Sequence, residues 1–365
     1  MTSTCAQNSE GNPVIIELMD FASELQLADD GCMVETGGPH SAHVLQSWMH
    51  DTGKSASRFD GNYDTGTRHG AFIGNVAWNI SGFMVKGDQH NVSFNTVFDG
   101  SDIGSSKAPR SRPPLQTPAS ALTNVSYPSI KIGTWSSPKA NQQTVFEGNL
   151  VDGVGSKTGN WDVGKNTIAG KYNCTGDPKA RVQNFTGIFP DCPVHGRFSP
   201  NNVVGSWLEV REHQTYSIKQ QLRDAFNRDF RPCPRSLAAQ RGAGAYKVWS
   251  ADDTEFWIPG VMSHVTTQPS PRDGATDVAT DADMIFLGAF RSAGHTVFVA
   301  EGGRGSPFKP LAPPLRGGEN VAHVKLQPNT SYAWRVDATL RDASVVEGEV
   351  WTFSTGNRIS CPNSQ

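Results

Sequence analysis

The sequence predicts an all-β protein: a solenoid of parallel strands over residues 1–250, a linker at 251–265 and a small β-sandwich over 266–357. Three observations predict it. Of 365 residues, 36% are hydrophobic and only 18% charged, against a usual figure of about 25%, while Gly reaches 37 and Pro 23. Such a chain is too apolar for disorder and too poor in charge for long solvated helices; it suits short strands joined by many turns. A short unit of Asn followed by apolar residues recurs through the first half. Near the C-terminus, apolar and polar residues alternate with a period of two, the mark of strands with one covered face.

The repeated units are Ser47-Trp48-Met49-His50-Asp51, Asn75-Val76-Ala77-Trp78-Asn79 and Asn95-Thr96-Val97-Phe98-Asp99. A shorter version stands at Asn149-Leu150-Val151-Asp152 and a further candidate at Asn166-Thr167-Ile168. Val44, Phe72 and Val92 each precede a unit by three positions. The steps are 28 residues from Ser47 to Asn75 and 20 from Asn75 to Asn95. A strand, an Asn and a second strand at that period make one coil of a parallel β-solenoid starting near residue 14. No such coil buries its apolar face alone, and stacking buries a continuous column. Asn75 and Asn95 then occupy equivalent places on neighbouring coils, and Trp48, Trp78 and Phe98 read as core rather than as sugar-stacking platforms. The Leu frame of a leucine-rich repeat is absent, and a sandwich of ordinary hairpins is the alternative.

The step from Asn95 to Asn149 is 54 residues, and the excess reads as a loop inserted at about 101–142, with room for one irregular strand. It holds six Pro, nine Ser and five Lys or Arg against one Asp. From Ser217 to Arg228 the spacing of Ile218, Leu222, Ala225 and Phe226 predicts a helix. Asp229-Phe230-Arg231-Pro232 and Gly242-Ala243-Gly244-Ala245-Tyr246 follow as a closing cap over the last coil. In the sandwich, Tyr332, Trp334, Val336 and Ala338 share one face, Trp351 and Phe353 share another, and Leu326-x-Pro328-x-Thr330-x-Tyr332 has the form of a tyrosine corner.

The net charge of −3 argues against a nucleic-acid partner. No run of about 18 apolar residues is present, so no membrane span is expected. Met1–Asn12 lacks the basic start and apolar stretch of a secretory signal, which leaves a cytosolic chain or the later part of a longer, exported one. Six Asn-x-Ser/Thr sequons, at Asn79, Asn91, Asn124, Asn173, Asn184 and Asn329, lean towards secretion. Of the cysteines at 5, 32, 174, 192, 233 and 361, none forms a zinc-type cluster; Cys174 and Cys192 either bridge one Gly/Pro-rich stretch or are free like the rest.

Polar and charged residues concentrate in one window: His50, Asp51, Lys54, Arg58, Asp60, Arg68, His69, Lys86, Asp88 and His90. Neighbouring coils of a parallel sheet lie about 5 Å apart, so residues one coil apart face one shallow groove. Arg68 and Lys86 are 18 apart, near one coil. The alternative is a set of solvated turn charges, with Asp51, Asp60 and Asp88 paired to Lys and Arg.

Two resemblances have residues to carry them. Tyr332-Ala333-Trp334-Arg335-Val336-Asp337 and Gly348-Glu349-Val350-Trp351-Thr352-Phe353 resemble a fibronectin type III domain, of the variety appended to secreted carbohydrate-active or adhesive proteins. The stretch from about 44 to 246 resembles right-handed parallel β-helix proteins of the pectate-lyase-like superfamily. The residues that carry this are Trp48-Met49-His50-Asp51-Thr52-Gly53-Lys54, Arg58-Phe59-Asp60-Gly61, the Asn units, Asp229-Phe230-Arg231-Pro232 and Gly244-Ala245-Tyr246. Many of that superfamily are polysaccharide lyases or glycoside hydrolases; others are adhesins. Relatives carry more N-terminal coils, so the resemblance implies that this chain is the C-terminal part of a longer protein.

Arg68-His69-Gly70, followed by Gly74-Asn75, is similar to a motif of alginate- and chondroitin-cleaving β-helix lyases, where the Arg assists elimination. Removing the proton α to a uronate carboxylate needs a cation or metal to stabilise the developing charge and a base near the carbon. With that motif, the spacing and charge of the window make Arg68, His69 and Lys86 the catalytic candidates, and His50, Lys54, Arg58 and His90 the substrate-binding ones. The family's catalytic Lys precedes the Arg by one coil; here that position falls near Ser47–His50, without a Lys. Calcium is the cofactor those lyases use, and its acidic and Asn ligands have no identifiable match. Two functions follow. One is an extracellular protein acting on or binding an acidic polysaccharide or cell-surface glycan, by β-elimination or glycoside hydrolysis where it is an enzyme. The other is a non-catalytic structural or adhesive protein, with the solenoid as spacer and the sandwich as interaction module.

Overall fold

The computed structural model describes residues 13–23, 32–37, 41–52, 55–60, 67–80, 82–85, 87, 89–99, 129–132, 143–156, 161–162, 167–168, 187–188, 197–199, 201–205, 217–311 and 313–361. It is all-β, with parallel sheets in its first half. The chain divides into two compact units, Met1–Gln221 with Ser236–Lys247, and Leu222–Arg235 with Val248–Gln365.

In the first unit the chain visits three sheets in rotation. The first is built from Val14–Glu17, Ala42–Leu45, Ala71–Ile73, Asn91–Ser93 and Val145–Glu147. The second takes Asp20–Ala22, Trp48–His50, Val76–Trp78, Thr96–Phe98, Leu150–Val151 and Val203–Val204. The third takes Cys32–Gly37, Ser55–Asp60, Gly82–Val85, Ser129–Ile132 and Gly153–Ser156. Every pairing among these strands is parallel. The inward residues meet in one core: Val44, Phe72, Val92 and Phe146 from the first sheet, Met49, Ala77, Val97 and Val151 from the second, and Val34, Phe59, Phe83 and Val85 from the third. Phe59 stacks on Phe72 at 4.0 Å between ring centroids, and Phe72 on Phe83 at 5.0 Å. Apolar residues from three faces converge on one axis, which removes them from water more fully than any one sheet does alone.

The Asn units explain the corner between the first two sheets. Asn75 Nδ2 donates to Asn95 Oδ1 at 3.0 Å, Asn95 Nδ2 to Asn149 Oδ1 at 2.9 Å, and Asn149 Nδ2 to Asn202 Oδ1 at 2.9 Å. Each amide also binds backbone, as when Asn95 Nδ2 donates to the Phe72 carbonyl at 2.8 Å. Asn202 is the member that the repeat pattern missed. Thr167–Ile168, the candidate suggested in its place, pairs antiparallel with Trp161–Asp162 at the margin of the third sheet. The same corner turns through left-handed backbone at Leu18, Gln46, Gly74, Phe94 and Gly148. At Gly148 a Cβ would stand 2.4 Å from the Phe94 ring, so glycine there makes space for that ring.

Trp48, Trp78 and Phe98 are buried, but on the outer face of the second sheet rather than in the central column. The segment Ser236–Tyr246 covers that face. Its short helix, Leu237–Arg241, is capped by Ser236 Oγ, which accepts from Ala239 N at 3.0 Å. It then lies along the sheet: Arg241 Nη1 donates to the Asn202 carbonyl, Gly244 N to the Gly148 carbonyl, Ala245 N to Thr96 Oγ1, and Trp48 Nε1 to Tyr246 Oη at 3.0 Å. Of the inserted loop at 101–142, Ser129–Ile132 forms a regular strand between Gly82–Val85 and Gly153–Ser156; the rest of it lies outside the described residues.

The second unit has a sheet of Thr267–Ser270, Met284–Leu287 and Val321–Ala322, and a larger one led by Ala275–Val278, Trp351–Thr355, Ser331–Leu340 and Ser292–Glu301. Val278, Met284, Phe286, Trp334, Val336, Trp351 and Phe353 form its core, and Trp334 is fully buried as the alternation predicts. Gln327 N donates to Tyr332 Oη at 2.8 Å, which is the tyrosine corner.

The helix expected over 217–228 does not form. Ile218–Gln221 and Ala225–Asn227 are single 3-10 turns around an extended Leu222–Asp224, which pairs antiparallel with Asp229–Pro232. Arg223 and Asp224 are buried and ion-paired there, and that geometry overrides the apolar spacing. This hairpin belongs to the second unit, as do Asp253, Phe256 and Ile258 of the expected linker, all three buried. Cys233 and Cys361 form a disulfide across 128 residues with a Cα–Cα distance of 5.7 Å, whereas Cys174 and Cys192 lie outside the described residues.

Candidate functional site

The described residues of the expected groove lie on or beside three different sheets. His50 ends its strand of the second sheet. Its Nδ1 lies 2.8 Å from Asp51 Oδ2, its Nε2 lies 3.0 Å from Asp20 Oδ1, and its ring stacks on Trp78 at 4.1 Å. Asn79 Nδ2 donates to the other Asp51 oxygen at 2.8 Å. Arg58, on the third sheet, is buried and its guanidinium donates to Glu35 on the neighbouring strand. His90 is buried beside the first sheet, stacked on Phe59 at 4.7 Å, and its Nδ1 accepts from Gly70 N at 3.0 Å.

Arg68 and His69 are exposed on the turn entering Ala71–Ile73. His69 has a φ of 55°, and His43 Nε2 lies 3.0 Å from its carbonyl oxygen. Gly70 has a packing reason: a Cβ there would lie 2.6 Å from Phe59 and 3.0 Å from His90. Gly87 has another, since with a φ of 101° its Cβ would fall 1.9 Å from the Thr67 carbonyl oxygen. The pairing of Ala71 with Asn91 makes the step between these strands 20 residues, so a residue 18 after Arg68 falls two positions short of its register partner. Gln89 and Gln143 stand in register with His69, and Gln89 Nε2 donates to Gln143 Oε1 at 2.9 Å. Lys54, Lys86 and Asp88 lie outside the described residues.

Among the described residues, the densest group of charges is in the second unit, and sequence reasoning missed it. Arg231, 1% exposed at its side chain, donates to Asp229 Oδ1 through Nε at 2.8 Å and to Asp229 Oδ2 through Nη2 at 2.6 Å. The same guanidinium reaches Asp283 Oδ2 at 2.7 Å and Asp253 Oδ2 at 3.1 Å. Arg223 lies 3.3 Å from Asp229 and 3.7 Å from Asp283, with its guanidinium 4.1 Å over the Trp249 ring. Trp249 Nε1 donates to Asp283 Oδ2 at 2.9 Å. His323 completes the group: Nδ1 is 2.7 Å from Asp283 Oδ1 and Nε2 is 2.9 Å from the Asp253 carbonyl oxygen. The signal was Asp229-Phe230-Arg231-Pro232, whose alternation puts both charges on one side of a strand; the partners at 253, 283 and 323 are too distant in sequence to be inferred from it.

Electrostatics there follows the geometry. Burial alone would raise the Asp283 carboxyl, but the His323 hydrogen bond and the charges of Arg223 and Arg231 outweigh it and hold it at about 2. Burial opposes the charge on Arg231 too, yet Asp229 and Asp283 raise its pKa further, so it stays a cation. The hydrogen bond to Asp283 raises His323, against burial. Asp224, at the other end of the hairpin, is raised by burial despite its pairing with Arg358 at 3.1 Å. Every carboxylate of the network is thus engaged by cations, which is a structural arrangement rather than one holding a base in reserve. Among the described residues, no group of three or more His, Cys, Asp or Glu is disposed to hold a metal ion. No helix among them is long and apolar enough to cross a membrane.

No protein-family model matches the chain, and no curated protein matches it. Solved structures with local similarity include the fibronectin type III domain of human fibronectin type III domain containing protein 3, at 20% identity over 29% of this chain and 96% of that one, with a TM-score of 0.20. They also include a beta-1,2-glucanase from Parabacteroides distasonis, at 13% identity over 29% of this chain and 14% of that one, with a TM-score of 0.20.

Proposed function

We propose that this chain is an extracellular structural or adhesive protein, a right-handed parallel β-helix serving as a rigid spacer for a fibronectin type III-like interaction module. The rotation of the chain through three parallel sheets around one core supports the β-helix. The two-sheet core with its tyrosine corner supports the module. The Cys233–Cys361 disulfide supports an oxidising compartment.

One observation carries the non-catalytic reading. His50, Arg58 and His90, which a uronate-binding groove would need to face its substrate, are buried and engaged by Asp20 and Asp51, by Glu35, and by Gly70 and Phe59. The glycines of Arg68-His69-Gly70 and Lys86-Gly87-Asp88 have packing reasons of their own, so these motifs do not require catalysis to explain them. A second reading keeps an acidic polysaccharide as ligand or lyase substrate at Arg68, His69 and Lys86; the exposure of Arg68 and His69 on one turn favours it.

An ultraviolet elimination assay on alginate, pectate and chondroitin separates the two. No unsaturated product from any polymer is the expected result. Product that forms with the parent chain and disappears in Arg68→Ala would overturn the structural reading and establish the lyase.

A further inference from the structure

The buried network of the second unit contains three carboxylates, Asp229, Asp253 and Asp283, and two guanidiniums, Arg223 and Arg231. All three carboxylates accept from a guanidinium. His323 is a further titratable group in contact with Asp283. Acceptors stand at both of its ring nitrogens, the Asp283 carboxylate and the Asp253 carbonyl. Imidazole donates at both nitrogens only when it is protonated. A proton on His323 therefore completes both hydrogen bonds at once.

We propose that His323 is the proton-operated member of a latch that fastens the Leu222–Pro232 hairpin into the second unit. Both arginines of the network and one of their partners, Asp229, come from this hairpin; the other two partners come from elsewhere, Asp253 from the stretch that follows it and Asp283 from beside the strand Met284–Leu287. Around His323 the charged groups are Asp283 in direct contact, with Arg231 and Arg223 behind it; Arg231 opposes the proton and Asp283 favours it more strongly. Asp281, more exposed, reaches Arg223 at 3.7 Å from the rim, and Arg358 pairs with Asp224 at the hairpin's other strand end. The sign follows from the direction of the shift. His323 is raised, so the latch is closed at mildly acidic pH and loosens as pH rises through the folded value. The Cys233–Cys361 disulfide, one residue past the hairpin, keeps the segment tethered when the latch opens, which makes the opening local and reversible.

The test is amide hydrogen exchange of the intact, oxidised chain at pH 5.5 and 8.5, corrected for intrinsic exchange. Peptides covering 222–232 should exchange about three- to tenfold faster at the higher pH, with no such change in the 71–98 strands; a tenfold change corresponds to one unit of linked pKa. His323→Gln, which donates without titrating, should remove the pH response. Equal corrected rates at both pH values in the unsubstituted chain would overturn the latch, as would a His323→Gln chain that keeps the parent's response. Should that variant fail to fold, the Trp249 indole NH resonance of the parent chain serves instead. It donates to Asp283, so it should titrate with the same midpoint as the hairpin amides, and a different midpoint overturns the proposal.

Discussion

Asn95 illustrates how much one side chain can hold. Its Oδ1 accepts from Asn75, its Nδ2 donates to Asn149 and to the Phe72 carbonyl, and it has no exposure to water. Asn95→Ala should lower stability by about 2–4 kcal/mol in denaturant titrations, because it strands partners on both neighbouring strands. Asn95→Asp should cost more still, since a carboxylate oxygen would replace a donor in front of a carbonyl. Histidines 295 and 323 define two pH limbs of opposite sign in the second unit. His295 is buried beside Phe286 and burial lowers its pKa, so its contribution is present above the unfolded value of about 6.5 and is lost as pH falls below it. His295→Leu should therefore flatten the loss of thermal stability between pH 7 and 5, while leaving the separate loss near pH 4 to 2, where Asp283 titrates towards its value of about 2. Thermal melts across that range read both. An unchanged slope in His295→Leu would assign the acid limb to another group.

At the scale of the element, the Ser236–Tyr246 segment decides what the second sheet's outer face is. Tyr246 accepts the indole NH of Trp48, and Trp48 is buried. Tyr246→Ala should uncover Trp48, shift tryptophan emission to the red and lower stability by about 3–5 kcal/mol. Tyr246→Phe, which keeps the ring and removes only the acceptor for Trp48 Nε1, should cost about 1–2 kcal/mol. The 222–232 hairpin makes the complementary point. Apolar spacing there has a helical period, but the buried pairs of Arg223 and Asp224 are met only in extended backbone, and strand pairing prevails. The strand at Ser129–Ile132 forms between two parallel neighbours that complete its hydrogen bonds.

At the scale of the molecule, the Cys233–Cys361 disulfide joins two cysteines of the second unit that lie 128 residues apart in the chain, with Ser236–Lys247 of the first unit between them in sequence. Removing it as Cys233→Ser/Cys361→Ser should lower that unit's stability by about 4–5 kcal/mol in the chain-entropy account and shift only its own transition in calorimetry. A single shared transition moving as a whole would mean that the two units unfold together. The sequence by itself determined the all-β class, the Asn stack from Asn75 through Asn149, and the burial of Tyr332 and Trp334. Each of these is written in a local period or a repeated unit, and parallel stacking or pleating translates such periods directly into a face. It also drew attention to His50, Arg58, Arg68, His69 and His90 as polar residues close together in the chain. Only the tertiary structure decided that three of them are buried and divided among different sheets, because the side a residue faces depends on register, and register depends on the exact step between strands, 20 residues at Ala71–Asn91. The disulfide, the cover over Trp48 and the Arg223–Arg231–His323 network were decided there too. Asp229 aside, their partners lie 22 to 198 residues apart, and a charge or a thiol carries no mark in the sequence of which distant partner it will meet.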